Sequence, residues 1–154
     1  MEMSFQEKSA WGSLVGLGLV SYWYFPRAFD VAEGSNSPAA LFGISIACII
    51  ALIIILAVYH SAIAIRGGDE TDERDRLIDL RAERISSCAL GIGLFWLVGR
   101  IVASEQVDQW AKIEQIDQIQ PMGSLLIAVW ILYALMASEV IKRIAQIIYY
   151  RIDA

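Results

Sequence analysis

Three groups of side chains in this sequence are of types that do chemistry. One is an ionic block, "DETDERDRLIDLRAERIS" at residues 69–86, with seven acids and four arginines. Another is a pair of ionisable residues at or inside apolar runs, His60 and Glu139. The last is two thiols, Cys48 and Cys88, each within an apolar run. The block admits three readings: a salt-bridged helix with a topological role, a protein-contact surface, or carboxylates gathered around a metal. Glu139 admits two. A carboxylate in a membrane is costly and functional by default, yet Lys142 and Arg143, three and four residues on, can neutralise it within one helix. His60 reads as a hydrogen-bonded residue at a membrane rim or as a ligand or proton carrier. The cysteines form no CxxC or Cys/His grouping, so neither a disulfide framework nor a zinc site is indicated; both read as buried thiols acting as small apolar residues. No nucleophile–base spacing appears, and "GLGLVS" at residues 16–21 lacks the lysine and the strand–helix setting of a phosphate loop. No catalytic residue, cofactor or metal-ligand set is assigned, and a non-enzymatic protein is expected.

What must position these groups is set by the bulk composition. Of 154 residues, 57% are hydrophobic, against roughly 45–50% in an ordinary soluble domain, and the mean hydropathy is +0.54. The net charge of −5 argues against direct nucleic-acid binding, which wants a basic face. Runs long enough to cross a bilayer need about 20 residues, and four are expected as spans, at approximately 10–28, 39–65, 85–103 and 123–148. The first ends in "YWYF", an aromatic cluster suited to headgroup depth, and no small-x-small cleavage site follows it promptly, so it reads as a retained span. Pro26 is expected to end or kink it, and "DVAEGSNSP" to form a loop before Pro38 opens the next helix. Residues 39–65 carry no Asp, Glu, Lys or Arg. Gly12 and Gly16 form a GxxxG-type pair that allows close helix approach. The expected fold is an all-α membrane protein: one integral domain over 1–154, a four-transmembrane-helix bundle whose long third helix extends into the cytoplasm.

Basic residues set the orientation. The side holding the N-terminus, the central loop and the C-terminus carries nine of the 12 Lys and Arg residues; since positive charge stays in the cytoplasm, both termini and the block are expected there, in a bacterial inner membrane. On the other side, Val107, Trp110, Ile113 and Ile116 recur every three residues within the loop at 104–121. That spacing fits a short helix on the membrane surface or a solvated loop with apolar anchors.

No Gly or Pro interrupts residues 69–90, so one helix is expected from about Thr71 to Ala103, with a cytoplasmic extension over 71–84. Thr71 or Asp69 can cap it, acids in the first turn suit the helix dipole, and Arg76 can pair within the helix with Asp72, Glu73 or Asp79. Leu77, Ile78 and Leu80 give the extension an apolar stripe for the bundle or a partner. Exposed helix pairs are each worth only about 0.3–0.5 kcal/mol, so the block is not there mainly for stability. Candidate partner-binding residues are Asp72, Glu73, Arg74, Asp75, Arg76 and Arg81. A second candidate site is a polar network at the cytoplasmic rim: Glu7, Lys8, His60, Glu139, Lys142 and Arg143. A core of about 30 Å, counted from Leu125 at about 1.5 Å per residue, ends near residue 144, which puts these side chains at a common depth. A transport pathway would want ionisable groups at mid-membrane, and none is found.

Three stretches carry a resemblance. "DERDRLIDLRAERIS" before the third span, "SEVIKRIAQIIYYR" closing the fourth and "FQEKSAWGSLVGL" at the start resemble small four-span bacterial inner-membrane proteins with a D-E-R-D box, here Asp72, Glu73, Arg74 and Asp75. Some proteins of that kind occur beside small helix-turn-helix regulators. The resemblance therefore implies a membrane scaffold or regulator whose cytoplasmic partner is such a regulator. A homo-oligomer, and a small-solute or ion transporter subunit acting as an oligomer, stand as alternatives.

Overall fold

The structure, a computed structural model, describes residues 5–35, 37–65, 73–114 and 123–152; the side chains of Ser35 and of residues 107–114 are outside the description. It is all-helical among those residues: α1 (Phe5–Asp30), α2 (Pro38–Ala64), α3 (Glu73–Glu114) and α4 (Ser124–Ile152). A π-helical turn, Val31–Ser35, follows α1 directly. Three helices, α2, α3 and α4, are long and apolar enough to cross a membrane. At about 1.5 Å per residue the 42 residues of α3 extend about 63 Å, twice a hydrocarbon core of about 30 Å.

The expected four spans thus become three by length and apolarity, and the packing explains why α1 falls short. α1 is the central helix, seated against both α2 and α4, while α3 packs on α4. It buries a helical stripe of Glu7, Ala10, Ser13, Leu17, Val20, Tyr24 and Ala28, in which small and polar residues outnumber Leu and Val. Its other face is apolar and aromatic: Trp11, Val15, Leu19, Tyr22 and Trp23 are all exposed. α2 is the reverse. It buries only Leu41 and Cys48 and turns Phe42, Ile46, Ile49, Ile53 and Val58 outward. The seams run α2–α1, α1–α4 and α4–α3, and α2 and α3 share no comparable seam among the described residues.

Several boundaries differ from the sequence expectation. Pro26 lies inside α1, and the helix continues to Asp30. Proline withholds one backbone N–H and crowds the carbonyl four residues back. Here the Arg27 guanidinium supplies a donor in the same turn, to the Trp23 carbonyl at 2.7 Å, and lies over the Trp23 ring. The stretch expected as a loop from Asp30 is helical through Ser35. Ser37 then caps α2, its hydroxyl accepting from the Ala40 N–H, with Pro38 opening the helix. The second correction concerns the region after Ala103. Neither a separate surface helix nor a loop starts there, because α3 runs unbroken to Glu114. No Gly or Pro falls between Arg100 and Gln120, and the Ser104 hydroxyl donates to the Ile101 carbonyl at 2.8 Å, which keeps its bond within the helix. The third is Cys88, which is exposed, whereas Cys48 is buried as expected.

The two glycines of the GxxxG pair face α2. A Cβ at Gly12 would run into the Tyr59 ring, and one at Gly16 would press on Ile55 at 3.2 Å. Backbone here touches side chain directly, the close approach that small residues permit when lipid offers no hydrophobic drive to association.

Candidate functional site

One end of the molecule collects the starts of α1 and α3 and the ends of α2 and α4, and all described members of the polar rim lie there. They do not form a single cluster. Three seams divide them.

Between α1 and α2, the His60 ring lies between two hydroxyls, Nδ1 at 3.3 Å from Ser9 and Nε2 at 3.4 Å from Ser13. Beside it the Tyr59 hydroxyl donates to the Lys8 backbone carbonyl at 2.6 Å. It is the main chain of Lys8, not its ammonium, that joins this seam. Between α1 and α4, Arg151 donates from Nε to Glu7 at 2.7 Å. The Glu7 side chain is 9% exposed and that of Arg151 63%, so the carboxylate is the buried member and the guanidinium reaches in from solvent.

The third seam, α3–α4, is the most extensive. Glu139 pairs with Arg143 at 2.7 Å, one turn on in its own helix. Arg143 also donates to the Gln146 Oε1 at 3.2 Å, and Gln146 donates across to Asp79 at 2.8 Å. Lys142 turns away from Glu139 toward α3, where it pairs with Asp79 at 3.6 Å and with Glu83. Tyr150 hydrogen-bonds to Asp75, and the Arg81 guanidinium lies 5.9 Å from the Tyr149 ring centre. Deeper in, Ser86 donates to the Ser138 carbonyl at 2.8 Å in a buried contact. Beneath these, Ile78 and Ala82 are fully buried.

The charged half of α3 is therefore docked along α4 rather than projecting freely. Of the expected apolar stripe, Ile78 is buried while Leu77 and Leu80 remain 50% and 58% exposed. The in-helix pairing expected of Arg76 is not made; among the described residues Arg74, Arg76 and Arg84 have neither a hydrogen bond nor an ion pair. Asp72, with the Thr71 and Asp69 caps, lies outside the described residues, as does Ile116 of the expected surface stripe. Glu73, Arg74, Asp75, Arg76 and Arg81 lie within the first three turns of α3.

A cavity of about 630 Å³ opens between the three seams, lined by Asp75, Arg76 and Asp79 of α3 and Arg143, Gln146 and Tyr150 of α4. The Arg143 Nε is buried without a partner among the described residues. No three His, Cys, Asp or Glu side chains among the described residues come together as a metal site.

Sequence reasoning missed Gln146 and Tyr150, and with them the cross-helix partners Asp79 and Glu83. A signal existed. Glu139, Lys142, Arg143, Gln146 and Tyr150 recur at three- and four-residue spacing in an otherwise apolar segment, which marks one polar ridge of a helix. The serines flanking His60 in space stand 51 and 47 residues from it in sequence, and no local pattern links them.

Compared with models of known families, with curated proteins and with solved structures, this chain finds no match.

Proposed function

We propose that this chain is a non-enzymatic, four-span protein of the bacterial inner membrane, with both termini in the cytoplasm, that presents its α3–α4 ionic surface to a soluble protein partner. Two features support α1 as the fourth span. It shares seams with two apolar helices, and its uncovered face is Trp, Val, Leu and Tyr. Nine of 12 basic residues at one end support the orientation. The resemblance in the D-E-R-D region makes a small helix-turn-helix regulator the proposed partner.

The observation that carries the partner reading is the state of the block. Asp75, Asp79 and Glu83 meet Tyr150, Gln146 and Lys142 of α4, while Leu77 and Leu80 on the same helix are at least half exposed. A helix needed only for topology would not require exposed leucines beyond the membrane rim. The transporter alternative has one support, the polar cavity at this end. The described core beyond it is apolar and aromatic, so a path would have to form between copies.

Two measurements test the proposal. Asp75→Cys in the full chain should react with a membrane-impermeant thiol reagent only from the cytoplasmic side. A photoreactive residue at position 77 should crosslink to a soluble protein in cells. Labelling from outside sinks the topology, and adducts confined to lipid sink the partner reading.

A further inference from the structure

The seam between α1 and α2 is open along one face. Gly12 and Gly16 bring the backbone of α1 against Tyr59 and Ile55, and having no side chains of their own they leave a floor. Trp11, Val15 and Leu19 stand along one edge, Ile55 and Tyr59 along the other, around a hollow of about 290 Å³. A second hollow of about 180 Å³ shares Leu19 and Ile55 with it and continues to Trp23 and Ala51. The two make one groove that follows α1 from Trp11 to Trp23, about 18 Å at about 1.5 Å per residue. Trp11, Val15, Leu19, Trp23 and Ile55 are each more than a third exposed, so the groove opens outward.

We infer that this groove holds one acyl chain of an anionic membrane phospholipid, with the lipid phosphate at Lys8. Size selects the chain. The two volumes spread over that length give a channel roughly 5 Å across. A helix, about 10–12 Å in diameter, does not enter it. A hydrocarbon chain one methylene thick is about 4 Å across at carbon contact distance. The length agrees within one helical turn, since one leaflet's share of a core of about 30 Å is about 15 Å. Charge selects the headgroup. Lys8 precedes Val15 by seven residues and Leu19 by eleven, which is two and three turns back along the same face at about 3.6 residues per turn. Its side chain is exposed and its ammonium makes no ion pair among the described residues. The Tyr59 hydroxyl on the Lys8 carbonyl marks the mouth of the groove, with Trp11 beside it at the depth where indoles meet headgroups. Lipid tails are as apolar as leucine, so an apolar lining alone does not prefer one lipid to another. The cation supplies the preference, about fivefold for a lipid of net negative charge.

The inference rests on α1 being the fourth span, and the test reads the two separately. The full chain is reconstituted in phosphatidylcholine vesicles carrying a trace of phosphatidylglycerol with a photoreactive acyl chain, and labelled positions are mapped by mass. Adducts at Val15, Leu19 and Ile55 should exceed those at Ile49 and Ile53, which are more exposed than Ile55 on the same helix. Adducts spread evenly over the exposed apolar residues of α1 and α2 overturn the inference and leave the span in place. Adducts on α2 with none on α1 remove the span. Gly16→Leu fills the groove from its floor, and Val15→Trp closes it from an exposed edge that bears on no packing within the chain. Either should bring Ile55 down to the level of Ile53, and unchanged labelling in both overturns the inference. With photoreactive phosphatidylcholine as the trace lipid, labelling in the groove should be about fivefold weaker, and Lys8→Gln should erase that difference. Equal labelling by the two lipids in the wild-type chain, or a preference that survives Lys8→Gln, overturns the anionic assignment. A photoreactive residue in place of Leu19 that joins two copies of the chain in native membranes, instead of taking lipid, overturns the inference as well.

Discussion

The two ends of this molecule are held together by different physics. At the termini end the helices meet through directional pairs: Glu7 with Arg151, His60 with two serines, Lys142 with Asp79 and Glu83. At the other end they meet through rings. Phe25 packs edge-on against Tyr133 at 5.0 Å, Phe29 against Trp130 at 5.2 Å, and Trp130 also meets Tyr133 and Trp96. Trp130 thus ties α1, α3 and α4 at a single point. In a bilayer the hydrophobic effect does not hold helices to one another, so each seam depends on shape, quadrupolar ring contacts and hydrogen bonds. The aromatic end offers geometry insensitive to pH and salt. The ionic end offers pairs that respond to salt and can exchange partners.

The contrast breaks most sharply at the ring cluster. Trp130→Ala removes three ring contacts, each worth about 0.5–1.5 kcal/mol beyond area, and should lower stability by about 2–4 kcal/mol in a denaturant titration in detergent, with no salt dependence. A loss under about 1 kcal/mol would show that the rings merely fill space.

Next in size is the backbone contact of α1 with α2. Gly12→Leu drives a side chain into the Tyr59 ring, and overpacking of this kind costs about 1–3 kcal/mol. It should also pull Ser9 and Ser13 off His60. A disulfide between cysteines placed at positions 16 and 55 reports on it. Its yield should collapse in the Leu variant and survive in Gly18→Leu, where a Cβ meets nothing within 4 Å.

The ionic seam should respond more weakly. In Lys142→Gln, Asp79 and Glu83 lose their cation, but both carboxylates are more than half exposed and water replaces much of the loss. About 1 kcal/mol or less is expected, and the difference from wild type should vanish at high salt. A salt-independent loss would mean that the pair is buried by something beyond this chain.

Much of this architecture was legible in the sequence because it follows from rules with short range. Apolar run length marked α2, α3 and α4; Ser37–Pro38 marked the start of α2; the absence of Gly and Pro over residues 69–90 marked the join of the charged half of α3 to its apolar half. Glu139 with Arg143 was legible because the two lie one turn apart. What stayed hidden depends on which faces meet. Arg76 has acids four and three residues before it and three after it and pairs with none of those described, since α4 takes Asp79 first. Lys142 stands three residues from Glu139 and turns across to Glu83. The block's charge balance was plain in sequence, but which of its acids meet α4 was not, because that requires knowing which stripe of α3 lies against α4. The extent of α3 past Ala103 was missed for another reason. A three-residue apolar spacing was assigned to a new element when it only continued the old one.

Arg76→Gln is the smallest effect and the sharpest contrast with Lys142→Gln. Both remove one cation, and in sequence each has an acid at helical spacing: Glu139 three residues before Lys142, and Asp72, Glu73 and Asp79 about Arg76. In the structure Lys142 has two carboxylates and Arg76 has no bonded partner among the described residues. Folding stability should therefore stay within about 0.5 kcal/mol of wild type, the range for surface substitutions away from special contacts, measured in the same detergent titration. The two variants then separate cleanly: Lys142→Gln loses stability through the α3–α4 seam, and Arg76→Gln, at the cavity beside that seam, keeps it. A stability loss of about 1 kcal/mol or more for Arg76→Gln would show that its guanidinium is bonded within the chain, and the contrast between the two cations would fail with it.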